Sequence, residues 1–301
     1  MGSKLARLSI TLALLLATLG GALAAPTRTD SRTMAYHGGP IMEGSENVYF
    51  IWYGCWTQVG CGGADARYND LATVTILNDF MYSLGASPYF QINAGYPNDQ
   101  GWTPSGSLLF AGGVADSYSR GRTLTEADLA GIVADRIVAG DFPQDPAGIY
   151  TVVASSDVTV ADGATEFCVT CCNLHGSGHP PLGSEFRYVF VGNPARCPGQ
   201  CASQFHGAAS PNANFAADAM ASWLAHAMSA TVTNPAGTAW YDRYGLENSE
   251  KCEGTFGPTQ IVTNPDGQPA EANMKLGQRN YLLQQNWVNS KKGHCALNSS
   301  L

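Results

Sequence analysis

The segment Asn47-Val-Tyr-Phe-Ile-Trp-Tyr-Gly54 decides the fold class of this chain. It has no polar side chain between Asn47 and Gly54 except the tyrosine hydroxyls, so both faces of an extended strand would be apolar. A strand apolar on both faces belongs inside a sheet covered on both sides. Ile149-Tyr-Thr-Val-Val-Ala154, Arg187-Tyr-Val-Phe-Val191 and Tyr281-Leu-Leu283 have the same character. Between the first two of these strands lie two helical patterns. Leu71, Val74, Leu77, Met81 and Leu84 keep a period near 3.6 and stop at Gly85, where glycine is expected to supply a left-handed cap. Thr125-Glu-Ala-Asp128 reads as a capping box for a helix with Leu129, Ile132, Val133 and Ile137 on its apolar face, ending by Gly140. Helices alternating with doubly buried strands predict a single α/β domain with a mixed sheet and flanking helices, an arrangement compatible with zincin-like architecture.

A third helix is predicted over about 216–232, where Met220, Trp223, Leu224, Ala227 and Met228 share one face. Asp218, Ser222, His226, Ser229 and Thr233 fall on the other, and Asn234-Pro235 ends it because a residue before proline avoids helical backbone. His226 is placed where a zinc hydrolase would begin its motif. The next position would carry the general base and the fourth one on a second metal ligand; both are alanines, Ala227 and Ala230. The functional reading of this helix is a residual zinc site in which Glu247 or Glu250 from the following loop joins His226. The competing reading is a histidine on a solvated or hydrogen-bonded helix face, with no cofactor at all. The second is preferred because at most two ligands are visible where catalytic zinc takes three from the protein.

Composition sets the compartment. Residues 1–24 combine Lys4 and Arg7, an apolar run from Leu8 to Leu19 and the small-residue end Ala22-Leu23-Ala24, the pattern of a secretory signal peptide. No later segment is apolar enough for a membrane anchor. Loss of Lys4 and Arg7 with that leader takes the formal net charge from −8 to −10, which argues against nucleic acid or anionic lipid as a partner. Charged residues make up only 13% of the chain, and nine cysteines in a secreted chain imply disulfides. Nine is odd, so at least one thiol is free or pairs between chains.

Several peptides, in this order, resemble the plant EXORDIUM family, also called the phosphate-induced protein 1 family. They are Tyr36-His-Gly-Gly-Pro40, Asn47 to Gly54, Ser155-Ser-Asp-Val158, Phe167-Cys168, Val191-Gly-Asn193, Cys197-Pro-Gly-Gln-Cys201, Thr231-Val-Thr-Asn-Pro235 and Gly277 to Trp287. The resemblance implies one family domain over 36–297 after a leader at 25–35. It also implies an extracellular or cell-wall protein associated with growth and cell expansion, without a well-established catalytic activity. Its partner would be an extracellular protein or a wall polysaccharide. Cys168, Cys172, Cys197, Cys201, Cys252 and Cys295 stand in family-like contexts; Cys55 and Cys61 read as an added pair, which leaves Cys171 as the odd thiol. Some family-like sequences carry a glutamate after the histidine equivalent to His226, whereas the plant growth-associated members resemble this chain in lacking it.

Other chemistries are weaker in the sequence. His175-Gly-Ser-Gly-His179 offers two imidazoles in an expected loop beside Cys171 and Cys172, but oxidised cysteines do not ligate zinc. No Gly-x-Ser-x-Gly elbow occurs, and Ser155-Ser156-Asp157 reads as a turn. A Cys171 nucleophile with His175 or His179 as base is weighed against a structural thiol, which its neighbour Cys172 favours. Of the six tryptophans, Trp102 in the Gly/Pro-rich segment 97–106 is the best candidate for stacking on a sugar ring, the others reading as core. Asn298-Ser-Ser300 is an N-glycosylation sequon.

Overall fold

The computed structural model describes residues 33–56, 68–181 and 183–299. The proposed signal peptide at 1–24, residues 25–32 of the proposed leader and Cys61 lie outside them. At the centre is a five-stranded sheet of β1 (Gly44–Tyr53), β2 (Pro104–Asp116), β3 (Gly148–Ala154), β4 (Asn173–Gly178) and β5 (Phe186–Gly192). Their spatial order is β2-β1-β3-β5-β4. The first four in that row are parallel and β4 runs antiparallel to β5 at one edge.

Helices α1 (Leu71–Leu84), α2 (Glu126–Val138) and α3 (Phe215–Thr233) cover the two faces. Val48, Phe50 and Trp52 of β1, Ile149 and Val153 of β3, and Val189 and Val191 of β5 pack against α1 and α3. Tyr49, Ile51 and Tyr53, together with Tyr150, Val152, Tyr188 and Phe190, pack against α2. This three-layer arrangement follows from the chain path. The connection β1-α1-β2 moves one way along the sheet and β2-α2-β3 moves back across β1, so right-handed crossovers place their helices on opposite faces. The doubly apolar β1 and β3 each have a parallel neighbour on both sides.

The helix starts are chemically specified. Asp70 accepts from Thr73 N at 2.8 Å, and Thr125 and Asp128 form the reciprocal capping box. Asn214 caps α3 by accepting from Ala217 N at 3.0 Å while its amide donates to Thr73 Oγ1 at 2.8 Å, tying the first turns of α3 and α1 together.

Four expectations need correction. Gly85 is not left-handed (φ −60°); the left-handed residue is Ala86 (φ 60°). Glycine is needed at 85 because a Cβ there would meet Leu108 O at 2.3 Å, so close approach to β2 selects it rather than dihedral freedom. Tyr281 ends a small hairpin of 274–276 with 279–281, and Leu282 and Leu283 belong to no strand; their apolar run packs on the helices instead of joining the sheet. The segment from His175 is not a loop but lies in β4. Its glycines were misleading: Cβ atoms at Gly176 and Gly178 would come within 2.7 Å of Tyr188 and 2.6 Å of Phe186, so these glycines make room for rings across the strand. Finally, the polar side of α3 is not solvated. Every residue from Ala216 to Thr233 is buried.

Three small hairpins and their connections, residues 260–296, cover part of that side. Ser222 Oγ accepts from Gln284 N at 3.0 Å, Tyr281 and Leu283 join the α1–α3 core, and Leu282 packs on Ala219. Among the described residues the disulfides Cys168–Cys197, Cys172–Cys201 and Cys252–Cys295 are formed, and Cys55 is also disulfide-bonded. The first two pairs each join residues 29 apart and staple the 168–172 segment to the short helix at 198–201. Cys252–Cys295 closes a separation of 43 residues, which contributes about 4 kcal/mol on the chain-entropy model. Replacing both Cys252 and Cys295 by serine is expected to lower unfolding free energy by about that amount in urea titrations; a loss below about 1 kcal/mol would show that the hairpins hold without the crosslink.

Candidate functional site

The α3 face of the sheet carries the site. In an antiparallel pair, residues directly opposite each other project to the same face. His175 is opposite Val189, and Val189 packs against the α3 layer, so the imidazole of His175 is directed to the α3 side of the edge strand. There its Nε2 bonds Glu247 Oε2 at 2.8 Å. The second carboxylate oxygen of Glu247 accepts from Asn234 Nδ2 at 2.6 Å, and Asn234 also accepts from Ala239 N. Asn234 is the C-cap of α3, so one side chain ends the helix, orders the following turn and holds the carboxylate.

The loop that presents Glu247 is fixed from within. Asp242 accepts from Tyr244 N, Leu246 N and Lys251 Nζ, the last at 2.9 Å in a buried ion pair. Glu250 Oε2 accepts from Glu247 N at 2.8 Å, and Cys252 anchors the end of the segment. Asn248 reaches Asn93 Oδ1 at 3.0 Å on the short helix at 90–95.

These residues border a cleft of about 450 Å³. His175, Gly176 and Ser177 form one wall, and the turn after α3 (234–237), Tyr241, Gly245, Glu247 and Glu250 form the other. No lysine or arginine is among them. Burial by itself would depress the His175 imidazole, but the charge and hydrogen bond of Glu247 outweigh it, and the net shift is upward. Desolvation raises the Glu250 carboxyl, and the charge of Glu247 adds to it.

His226 lies beneath this cleft instead of lining it. It is 6% exposed, its ring packs on Trp223 with centroids 5.4 Å apart, and its Nδ1 has no partner among the described residues. Desolvation dominates: despite the opposing charge of Glu247, the imidazole is pushed down to about 4. It is therefore neutral at any physiological pH. Of the predicted trio, Glu247 and Glu250 share the cleft, while the imidazole that meets Glu247 belongs to His175 and not to His226. Among the described residues no three His, Cys, Asp or Glu side chains are arranged to hold a metal ion.

The remaining candidates are separate. His179 is exposed, Cys172 is oxidised, and the half-buried Cys171 is a free thiol pushed up to about 11, chiefly by burial, so it is not a nucleophile at neutral pH. Ser155 accepts from Val158 N through its carbonyl and bonds Asp157 through its hydroxyl, the geometry of a turn. Trp102 is 62% exposed whereas Trp52, Trp56, Trp223 and Trp240 are buried. Asn298 is exposed; Ser300 of its sequon lies outside the described residues. The sequence reading missed the pairing of His175 with Glu247, because the two are 72 positions apart and only sheet pairing brings His175 to α3. The signal that was present is the cluster Glu247-Asn248-Ser249-Glu250 in an irregular segment after a helix, whose polar groups need partners from elsewhere.

Two measurements follow. In Glu247→Gln the charge that offsets burial is gone, so the His175 imidazole, followed by NMR, is expected to titrate below the ordinary histidine value of about 6.5; an unchanged titration would show that Glu247 does not control it. His226 binds a proton only in the unfolded chain between pH 6.5 and about 4, so its contribution to stability is present above that window and is lost as pH falls through it. His226→Leu is expected to reduce the acid loss of stability by up to about 3 kcal/mol in urea midpoints compared at pH 7 and 4; parallel losses in both proteins would contradict this.

The chain matches the family model described as the phosphate-induced protein 1 conserved region over residues 34–297. It is 29% identical to Protein EXORDIUM-like 5 of Arabidopsis thaliana, the match covering 88% of this chain and 78% of the relative. Against Protein EXORDIUM-like 1 of the same plant, identity is 30% over 76% of each chain. Protein PHOSPHATE-INDUCED 1 of Nicotiana tabacum is 26% identical over 75% of this chain and 74% of its own. No solved structure matches. With the family model spanning the whole described domain, the chain belongs to the phosphate-induced protein 1, or EXORDIUM-like, family.

Proposed function

We propose that this chain is a secreted EXORDIUM-like protein that acts outside the cell, in growth and cell expansion, by holding a ligand in the His175–Glu247 cleft without turning it over. The observation that carries the reading is the environment of α3. Ala227 and Ala230, where a metallohydrolase would place its base and second ligand, are 0% and 1% exposed and carry no donor atom. Both oxygens of the nearest carboxylate, Glu247, are engaged by His175 and Asn234. The donor set does not fit a catalytic zinc, which takes three protein ligands and leaves one position open.

Secretion is supported by the disulfides, which form and persist in oxidising compartments, and by the leader-like N-terminus. No helix among the described residues is long and apolar enough to cross a membrane. A second reading, a module for wall polysaccharide, is favoured by one observation, the exposed indole of Trp102.

Metal analysis and hydrolase profiling of the purified secreted protein test the proposal. Less than about 0.1 metal per chain and no turnover of peptide, ester or glycoside substrates are expected, the occupancy being far below the one ion a catalytic site requires. Stoichiometric zinc that disappears in His226→Ala, together with hydrolysis, would overturn it.

A further inference from the structure

We propose that the outer edge of β4, with the cleft beside it, is a docking site for an extended protein segment carrying a basic side chain. The inference rests on the binding reading above and names the class of ligand.

The first observation is the edge itself. Among the described residues β4 ends the sheet, paired only with β5. No main-chain hydrogen bond beyond that ladder reaches residues 173–178 among the described residues. A row of unpaired N–H and C=O groups templates another strand, and proteins ordinarily guard such edges with lysine, proline, bulges or covering chain. This one has none of the first three: Asn-Leu-His-Gly-Ser-Gly contains no proline and no lysine, and its register with β5 runs unbroken from Asn173 opposite Val191 to Gly178 opposite Phe186. Six residues span about 20 Å, enough to pair with five or six residues of an added strand.

The second observation is what the added strand would meet. His175, Gly176 and Ser177 are both edge residues and cleft wall. Side chains of an added strand alternate between faces, so the residue opposite His175 projects to the α3 side, into the cleft with Glu247 and Glu250. In the wall Glu247 is already paired with His175, which leaves the Glu250 carboxylate to meet a cation with no lysine or arginine beside it, in a chain of net charge −8. Main-chain pairing would provide affinity and the cleft would select the side chain, the division of labour of strand addition. A polysaccharide has no amide row to match the edge, which is why a protein segment is the favoured occupant.

The test uses the whole secreted protein and immobilised, end-blocked heptapeptides that alternate threonine and valine around a central Lys, Leu or Glu. Lysine-centred peptides are expected to bind on the order of tenfold more tightly than glutamate-centred ones, and Glu250→Gln to shrink that ratio several-fold. Methylating alternate backbone nitrogens of the lysine-centred peptide, in each of the two frames, is expected to abolish binding in one frame only. That readout leaves the protein unaltered, so it holds even where Glu250→Gln disturbs the loop. Equal binding of all three peptides, or binding indifferent to methylation in both frames, would overturn the proposal. Wall oligosaccharides are passed over the same protein. Their retention with no peptide bound overturns the peptide inference and leaves the binding reading standing; retention of neither overturns both. Peptides recovered cleaved would support docking on β4 and overturn the non-catalytic reading.

Discussion

Complete burial of α3 is the constraint on which the rest of this structure depends. The helix lies between the central sheet and the C-terminal hairpins, and its apolar residues Met220, Leu224 and Met228 are fully inaccessible, each stabilising the fold by roughly 1.5–3 kcal/mol. Burying its other side requires that the polar groups there be satisfied. Asp218 accepts from Asn212 N at 2.8 Å as well as from the Asn212 amide, Ser222 accepts from Gln284 N, Ser229 accepts from Asn93, and Thr231 and Thr233 bond carbonyls one turn back. A helix can therefore be polar on one side and still be interior. The partners come from the short helix at 90–95, the segment before α3 and the C-terminal third of the chain.

The same burial separates two histidines that a sequence comparison would treat alike. His226 is buried away from solvent and held neutral. His175 sits at the border of a cleft, paired with a carboxylate that favours its charged form. Only the second borders space that a solute can enter. The first is a packing residue whose neutrality is imposed by its surroundings. Lining the cleft with Glu247 depends in turn on Asn234, which ends α3, and on the ion pair of Lys251 with Asp242, so the helix terminus and the cleft wall are one unit.

Disulfides distribute this rigidity. Cys252–Cys295 ties the loop bearing Glu247 and Glu250 to the last hairpin, and the paired bridges from Cys168 and Cys172 tie the approach to β4 to the segment before α3. Both walls of the cleft are thus held by covalent bonds close to them in sequence. Among the described residues no strand pairs with the outer edge of β4 between them.

The amino-acid sequence by itself determined the α/β class, the three helices, the three inner parallel strands that it reads as apolar on both faces and the exposure of Trp102, because each follows from local patterning: a run apolar on both faces, a 3.6 period, a capping box, an asparagine before proline. Six family-like cysteines and the odd Cys171 were also visible there, though their pairing was not. Only the tertiary structure decided that Gly176 and Gly178 mark a strand facing Tyr188 and Phe186, that Gly85 serves close packing, and that the polar stripe of α3 is covered. It alone joined His175 to Glu247. The physical reason is that periodicity reports which side of an element is apolar, whereas a buried polar side is settled by hydrogen-bond partners drawn from distant parts of the chain, and these have no local signature.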